Sequence, residues 1–466
     1  MENNHTLATS ITQLITADQA YHYGIIPVAL EDNTIHFKSV NTSYSLQQEL
    51  QILFNQNIKL IEETEEQIQF LLASTYRKSS ICEELHYSND FLEKILISAK
   101  EIGSSDIHFE PYENKCRVRL RIDGKLKEHY IISLEEYPII VNKLKIKASL
   151  DISEKRLPQD GRITMNNGNE EFDIRVSSLP TLYGEKIVLR ILSKDTNNIS
   201  LEKLGFTDAE LSTYKEGTKK PNGIVLISGP TGSGKTTTLY ATLKLLNDDK
   251  TNILTIEDPI EYTLEGINQV QLKENIGLDF SSTLRTFLRQ DPDIIMVGEI
   301  RDAKTANMAI RAALTGHLVL STIHTNSAWA TISRLIDMGI PPFLIASTLN
   351  ISVAQRLVRK LCDNCKIEEI TLSKHFPESF NIPKDLTSHY IPKGCNKCHH
   401  TGYQGRKAIY EIVPIKKELI PHIKNNDLEI DDYLATENII SLKNNAIQLI
   451  KSGTTSIEEV YSLLMD

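Results

Sequence analysis

The feature that most constrains this chain is the run GPTGSGKTTT, from Gly229 to Thr238. The run holds three glycines, one lysine and a row of hydroxyl side chains, so it offers little that could fill a hydrophobic core. It fits the pattern G-x-x-x-x-G-K-[ST], and it lies between an apolar stretch, GIVLIS, and the helical pattern TTTLYATLKLL. The sequence therefore predicts a strand, a phosphate-binding loop and a helix, in that order.

This loop pattern predicts where a nucleotide binds. Glycines let backbone N–H groups turn inward around phosphate oxygens, and the following helix directs its positive end at the same anion. Lys235 is expected to reach the β- and γ-phosphates of ATP, and the Thr236 hydroxyl is expected to bind Mg²⁺. The predicted nucleotide-binding residues are Gly229, Pro230, Thr231, Gly232, Ser233, Gly234, Lys235, Thr236 and Thr237.

Length and composition limit the class of protein. The chain has 466 residues, a length that suggests about three domains. Its 40% hydrophobic and 24% charged residues are typical of a globular protein. The net charge of −10 argues against nucleic acid as a direct partner. The N-terminus has no signal-peptide pattern and no apolar run reaches about 18 residues, so we expect no transmembrane segment.

The pattern of apolar residues divides the chain into regions. Residues 1–75 mix short helical and strand patterns, which predicts a small α/β module, and a polar linker is expected at 76–88. Residues 89–205 carry paired strand patterns typical of an α+β domain. From 216 to 466, short β-rich runs alternate with helical stretches, which predicts a largely parallel sheet with helices on its faces.

Three strand patterns of this last region end in residues suited to ATP hydrolysis. DPDIIMVGEIRD places Glu299 at the carboxyl end of an apolar strand, where ligands bind in open α/β sheets, and we expect it to activate water. TIEDPIE places Glu257 after a second strand, where it would support the metal or the water, or else form a helix cap or a solvated loop. His324 follows the strand LVLSTI and either senses the γ-phosphate or is structural.

Four of the six cysteines form two C-x-x-C pairs separated by 29 residues. Four thiolates suit tetrahedral Zn²⁺, whereas the alternative is four unrelated buried cysteines. Since no open coordination position is suggested, we expect a structural zinc in a protein of a reducing compartment. The predicted zinc ligands are Cys362, Cys365, Cys395 and Cys398.

Together these motifs resemble those of the GspE/PilB secretion ATPases, which drive type II secretion and type IV pilus assembly. The resemblance covers nearly the whole chain after residue 85. GPTGSGKTTTLY is similar to the Walker A box of the family, TIEDPIEY to its Asp box, LRQDPDIIMVGEIRD to its Walker B region and TGHLVLSTIHTN to its His box. SSDIHFEP and VRLRIDGKL resemble its second N-terminal domain, and QRLVRKLC leads into a tetracysteine motif of assembly-type members.

The resemblance implies an architecture and a set of partners. It implies a RecA-like P-loop ATPase core, a preceding PAS-like α+β domain and an inserted zinc-binding subdomain at 359–411. It also implies a homo-hexamer in which Arg175 and Arg190 of the preceding domain complete each site, although read alone both are strand arginines on a solvated face. The implied protein is cytoplasmic and attaches to the inner membrane through a platform protein and a docking protein that binds residues 1–75.

Several functions remain open after this reading. Secretion, pilus assembly and DNA uptake use motors that look alike, so the sequence does not separate them. A nucleic-acid motor on the same core would show basic patches and DNA-stimulated hydrolysis. A non-enzymatic zinc adaptor would keep nucleotide only as a structural ligand, and the presence of Glu299 and Lys235 argues against it. Retraction-type members generally lack the long N-terminal region and the tetracysteine motif, which favours assembly over retraction.

Overall fold

The computed structural model describes most of the chain in two compact units. The larger unit comprises residues 164–174, 191–394 and 401–466, and the smaller unit comprises the remainder. Most of the predicted linker at 76–88 lies outside the described residues. The described residues are 14–15, 17–31, 34–65, 67–68, 71–72, 83–84, 88, 90–166, 171–192, 200–371, 373–427 and 429–465.

Strands and helices within these residues are numbered in chain order. The strands are β1 (Ile25–Glu31), β2 (Thr34–Ser39), β3 (Asn57–Glu62), β4 (Glu83–Glu84), β5 (Ser104–Pro111), β6 (Cys116–Ile122), β7 (Lys125–Ile132), β8 (Gln159–Asn166), β9 (Glu171–Thr181), β10 (Gly184–Leu192), β11 (Gly223–Ser228), β12 (Ile253–Glu257), β13 (Asn268–Gln271), β14 (Ile294–Val297), β15 (Leu318–Ile323), β16 (Leu349–Leu361), β17 (Lys366–Ile370), β18 (Ser388–Pro392) and β19 (Tyr403–Pro414). The helices are α1 (Ala17–Tyr23), α2 (Tyr44–Phe54), α3 (Phe91–Glu101), α4 (Tyr137–Lys147), α5 (Asp208–Thr218), α6 (Lys235–Leu246), α7 (Phe280–Phe287), α8 (Ala303–Leu314), α9 (Ala330–Asp337), α10 (Pro342–Thr348), α11 (Ile420–Asn425), α12 (Asp431–Thr436), α13 (Leu442–Lys451) and α14 (Ile457–Met465).

The first residues of the chain that the structure describes form a small mixed layer. Strands β1, β2 and β3 make a three-stranded sheet in that order, with β1 and β2 antiparallel and β2 and β3 parallel. Alternate residues of β2, such as Phe37, are buried, and Leu50 of α2 packs in the same apolar cluster. A small helix-and-strand module with one apolar sheet face is thus formed, as the alternation of apolar residues predicts.

A seven-stranded sheet follows in the order β4-β7-β6-β5-β10-β9-β8. Strands β5, β6 and β7 pair antiparallel in sequence, and β6 joins β7 through Asp123 and Gly124, both at positive φ. Two consecutive residues at positive φ match the twist of a tight hairpin. In β6 the apolar residues are buried on one face and the arginines alternate on the other.

The larger unit contains a second seven-stranded sheet, in the order β13-β12-β14-β15-β11-β16-β19. All neighbours pair in parallel except β16 and β19, which are antiparallel. Ile224 and Leu226 of β11 belong to one apolar cluster, and Val225 and Ile227 belong to another. Because both of its faces are covered, β11 is almost entirely apolar. This is an α/β fold, and the prediction of a largely parallel sheet is confirmed.

The register of this sheet aligns the carboxyl ends of four strands. Val297 of β14 lies opposite Ile256 of β12 and opposite Ser321 of β15. Ser228 of β11 lies opposite Ile323 of β15. The loops that follow these strands therefore leave the sheet along one edge, which is where open parallel sheets bind ligands.

Candidate functional site

The phosphate-binding pattern lies between β11 and α6, as predicted. Its glycines Gly229, Gly232 and Gly234 have φ values of 148°, 81° and 89°. A Cβ atom at Gly229 would come 2.5 Å from the carbonyl oxygen of Gln355, and one at Gly234 would come 2.8 Å from the Gln355 side-chain nitrogen. At Gly229 and Gly234, glycine is therefore required for two reasons: the backbone conformation and the close approach of β16.

Lys235 is the first residue of α6, and its ammonium group lies against the loop. Nζ donates hydrogen bonds to the carbonyl oxygens of Gly229 at 2.8 Å and of Pro230 at 3.0 Å. Burial lowers the pKa of Lys235, and the charge of Glu299 acts in the opposite direction. The hydrogen-bond partners of Nζ among the described residues are neutral carbonyls, which a buried cation can exchange for an anion.

The other residues of the loop differ in exposure. Pro230, Thr231, Gly232 and Thr236 are exposed, and Thr237 is half-buried. The Ser233 hydroxyl is buried, and its oxygen has no hydrogen-bond partner among the described residues. An unpartnered polar atom inside this loop is consistent with a bound polar group such as phosphate, so the residues present fit a nucleotide.

Glu299 lies two residues after β14 and is surrounded by cationic or hydrogen-bonding groups. Its carboxylate forms an ion pair with Arg301 and lies 3.5 Å from Nε2 of His324. The Thr322 hydroxyl donates to the carbonyl oxygen of Gly298 at 2.7 Å, which ties the loop after β14 to the end of β15. The structure thus brings together Glu299 and His324, two of the predicted site residues.

Glu257 is the last residue of β12 and is buried. It accepts hydrogen bonds from the Tyr240 hydroxyl, from Thr255 Oγ1 at 2.6 Å and from Gln269 Nε2 at 3.1 Å. Burial and the hydrogen bond to Glu257 raise the pKa of Tyr240, so the phenol keeps its proton. The alternative of a helix cap or solvated loop for Glu257 is wrong, because the strand continues far enough to bury the carboxylate beneath α6.

Arg175 and Arg190 lie in the smaller unit, on β9 and β10. Arg175 is half-buried. Arg190 is exposed, and its Nε donates to Oδ1 of the nearly buried Asp106 at 2.9 Å. Arg190 is thus exposed, as expected for a strand arginine on a solvated face, but its side chain is also ion-paired.

The four cysteines of the two C-x-x-C pairs meet at one point. Their sulfur atoms all lie within 4.8 Å of one another. In a tetrahedral site with Zn–S bonds of about 2.3 Å, sulfurs stand about 3.8 Å apart, and the Cys395 and Cys398 sulfurs are 3.8 Å apart. The backbone N–H of Cys395 also donates to the Cys398 sulfur at 3.2 Å. These four residues fit a zinc ion.

Sequence reasoning did not identify several residues that line this edge. Thr238 donates to the Gln355 side chain at 2.9 Å, and Arg356 donates to the carbonyl oxygen of Asn326 at 2.7 Å. Glu411 is buried and accepts from the backbone N–H of Ala328 at 2.7 Å. The available signal for Gln355 and Arg356 was the polar pair QR between the apolar pairs VA and LV.

Comparison with known proteins places this geometry in context. The type IV pilus assembly ATPase PilB of Myxococcus xanthus is 48% identical over 372 residues, which cover 78% of this chain and 66% of that protein. The type II secretion system protein E of Pseudomonas aeruginosa is 45% identical over 372 residues, with 79% and 74% covered. This chain spans about two thirds of the length of the pilus-assembly relatives it matches.

A solved structure and a family model support the same relationship. The crystal structure of the pilus retraction motor PilT with bound ADP aligns with a TM-score of 0.54 and 26% identity, covering 80% of this chain and 96% of that one. Within the described residues, no helix has both the length and the apolar character that crossing a bilayer requires. The model of the type II/IV secretion system protein family matches residues 83–462. The chain therefore belongs to this family, and within it to the GspE/PilB secretion ATPases.

Proposed function

We propose that this protein is an ATPase motor that powers assembly of a pilus or of a type II secretion pseudopilus. The observation that carries the proposal is the meeting of the glycine loop, Lys235, Glu299 and His324 at one edge of a parallel sheet. The names of the relatives in pilus assembly and type II secretion support it. A RecA-like core over 216–466 is the fold that we assign to this chemistry.

Each residue of the loop has a proposed part in binding. Residues Gly229 to Thr237 surround the phosphates of ATP with backbone N–H groups, and Lys235 leaves its two carbonyl partners to bind the β- and γ-phosphates. The Thr236 hydroxyl holds Mg²⁺, which neutralises charge on the phosphates when it is bound. The unpartnered Ser233 hydroxyl gains a phosphate oxygen as its partner.

The carboxylates divide the work of hydrolysis in this proposal. Glu299 is the group that orients and activates water, because its carboxyl group is partly exposed and lies beside His324. His324 donates a hydrogen bond to the terminal phosphate. Glu257 supports the metal or the water from a fixed position, held by its three donors. Arg175 and Arg190, brought by a neighbouring subunit or by domain closure, neutralise the charge that develops in the transition state.

Assembly and location follow from the same proposal. The protein forms a homo-hexamer in the cytoplasm, attached at the inner membrane through a platform protein. The small module at 1–75 binds a membrane-associated docking protein, and the segment at 76–88 links it to a PAS-like domain at 89–205. The four cysteines bind one structural Zn²⁺ in the subdomain at 359–411, for which the sulfur spacing is the support.

Phosphate release at saturating ATP tests the proposal. Lys235→Ala is expected to weaken nucleotide binding and to lower turnover at least about 10²-fold, because the buried ammonium is the loop's only side-chain cation. The matched control is Lys220→Ala, the same change at an exposed lysine just before β11, which should keep wild-type turnover. Wild-type turnover in Lys235→Ala would contradict the proposed site.

A further inference from the structure

A second group of metal-ligating side chains lies on the hairpin formed by β17 and β18. Glu369, His375 and His389 each offer one ligand atom, and these three atoms lie within 4.8 Å of one another. Glu369 and His389 are directly opposite in the antiparallel register, so their side chains project from the same face. His375 ends a short 3₁₀ turn, Ser373–His375, in the connection between the two strands.

His389 has the hydrogen-bonding arrangement of a metal ligand. Its ring is buried, with Nδ1 3.3 Å from the Thr371 hydroxyl and Nε2 3.9 Å from a carboxylate oxygen of Glu369. When the hydroxyl accepts the Nδ1 proton, the Nε2 lone pair points to the carboxylate side. Metal-binding histidines are commonly oriented in this way, by a hydrogen bond to the nitrogen that does not bind the metal.

His375 supplies an independent observation. Its Nδ1 atom is buried and has no hydrogen-bond partner among the described residues. Its ring packs edge-on against His389, with ring centroids 5.0 Å apart. A buried polar atom without a partner destabilises the folded state. A metal ion bound to this nitrogen would remove that cost and would explain why two imidazoles are packed together.

We propose that Glu369, His375 and His389 form a second zinc site, separate from the four cysteines. Two imidazoles and one carboxylate are a ligand set that Zn²⁺ accepts, and a fourth position remains for water. Ligand atoms in such a site stand about 3.4 Å apart for bonds of about 2.1 Å. The Glu369 side chain is 43% exposed, so it can move the short distance that separates it from this spacing.

The two proposed metal sites lie close together along the chain. Glu369 is four residues along β17 from Cys365, or roughly 13 Å of strand. The two metals would thus hold the two ends of one hairpin.

Metal content and calorimetry on the full chain test the proposal. Protein stripped of metal and titrated with Zn²⁺ is expected to bind two equivalents. Glu369→Gln and His375→Gln are each expected to lose the second equivalent or to weaken it at least about 10-fold. Glu368→Gln changes the neighbouring carboxylate on the opposite face of the strand and should still bind two equivalents.

Cobalt separates the two sites, because only thiolate ligands give strong near-ultraviolet charge-transfer absorption. Co²⁺ bound to Glu369→Gln should keep the thiolate absorption of the wild type, which shows that the variant is folded and that the cysteine site is intact. Binding of a single Zn²⁺ by the wild type would overturn the proposal. So would two equivalents of unchanged affinity in both Glu369→Gln and His375→Gln. Neither outcome depends on ATP hydrolysis, so the proposed motor function is tested separately.

Discussion

The two seven-stranded sheets hold their charged side chains in different ways. In the parallel sheet, Glu299 and His324 lie in loops that follow strand ends, where one carboxyl edge collects them. In the antiparallel sheet, charged residues lie on the strands themselves and pair across the ladder. Glu110 of β5, for example, accepts from Arg119 at 2.7 Å and from Arg117 at 3.1 Å on β6.

The alternating pattern of the antiparallel sheet is a poor guide to which charges are buried. The arginines of β6 alternate with apolar residues, which alone indicates a solvated face, yet they neutralise carboxylates that are nearly buried. Burial raises the pKa of Glu110, but hydrogen bonds from Arg119, Lys186 and Arg117 outweigh burial and lower it to about 2. Arg190, one of the two arginines that we propose to act as arginine fingers by neutralising transition-state charge, belongs to the same kind of network through Asp106.

The largest expected effect comes from the arginines. If Arg175 and Arg190 act as fingers, replacing either with Ala should lower turnover about 10³-fold, or about 4 kcal/mol in the transition state, while ATP binding persists. Arg121→Ala is the control, since Arg121 also pairs with Asp106, at 3.3 Å. Phosphate release would measure turnover. Wild-type rates in both variants would remove these arginines from the proposed mechanism.

A trans-complementation experiment sharpens the same prediction. Subunits carrying Lys235→Ala, mixed with subunits carrying Arg175→Ala, should regain part of the lost turnover if arginines act across an interface. The recovery should be modest, because only one type of mixed interface pairs an intact loop with an intact arginine. Turnover per chain that does not depend on protein concentration, in a verified monomer, would speak against action in trans.

Glu299 gives the next largest effect. Glu299→Gln should keep nucleotide binding, measured with a fluorescent analogue, and should lower turnover at least about 10²-fold, because the amide cannot activate water. Glu274→Gln, at an exposed glutamate of the same unit, should be silent. Normal turnover in Glu299→Gln would remove it from the mechanism and would leave Glu257 as the carboxylate to test.

The smallest expected effect is on stability rather than on turnover. Glu110→Gln should lower the free energy of unfolding by about 2 kcal/mol at pH 7, because the arginines lose a buried anion. The pKa of Glu110 is lowered from 4.5 to about 2 in the folded protein, so its stabilisation is present above pH 4.5 and is lost as the pH falls through 2. The difference between variant and wild type in urea denaturation should shrink over that window.

Asp106→Asn is the matched comparison for Glu110→Gln. Burial raises the pKa of Asp106, but hydrogen bonds from Arg190 and Ser105 outweigh it, so the pKa is lowered. Its partner Arg190 is 59% exposed, so the loss should be smaller, about 1 kcal/mol. A larger loss for Asp106→Asn than for Glu110→Gln would show that exposure of the partner does not set the strength of these pairs.

Much of the parallel sheet could be predicted because its information is local. The glycine loop, Lys235 and the strand before them are contiguous, and Glu299 and His324 each follow their own apolar strand. By contrast, Gln355 lies more than a hundred residues from the loop that it touches, and only the pairing of β11 with β16 brings it there. A polar residue in a buried strand indicates that its side chain has a polar partner, but it does not identify that partner.

The residues of the two proposed metal sites show the same limit. Two C-x-x-C pairs predict a zinc site because the spacing within each pair allows both thiolates to bind the same ion. Glu369, His375 and His389 have no such spacing, since Glu369 and His389 meet across a hairpin and His375 enters from a turn. Glu257 was predicted to follow its strand and instead ends it, because the position of a strand terminus depends on neighbouring strands.

Strand β16 connects the nucleotide loop to the first cysteine pair. At Gln355 it lies against the glycines of the nucleotide loop, and just beyond its last residue the backbone N–H of Cys362 donates to Gly402 at 2.9 Å. These two points are seven residues apart, or about 23 Å along an extended strand. Strand β19 pairs with β16 along this length, with one irregularity between Arg359 and Leu361, so a single paired strand joins the nucleotide loop to the first cysteine pair.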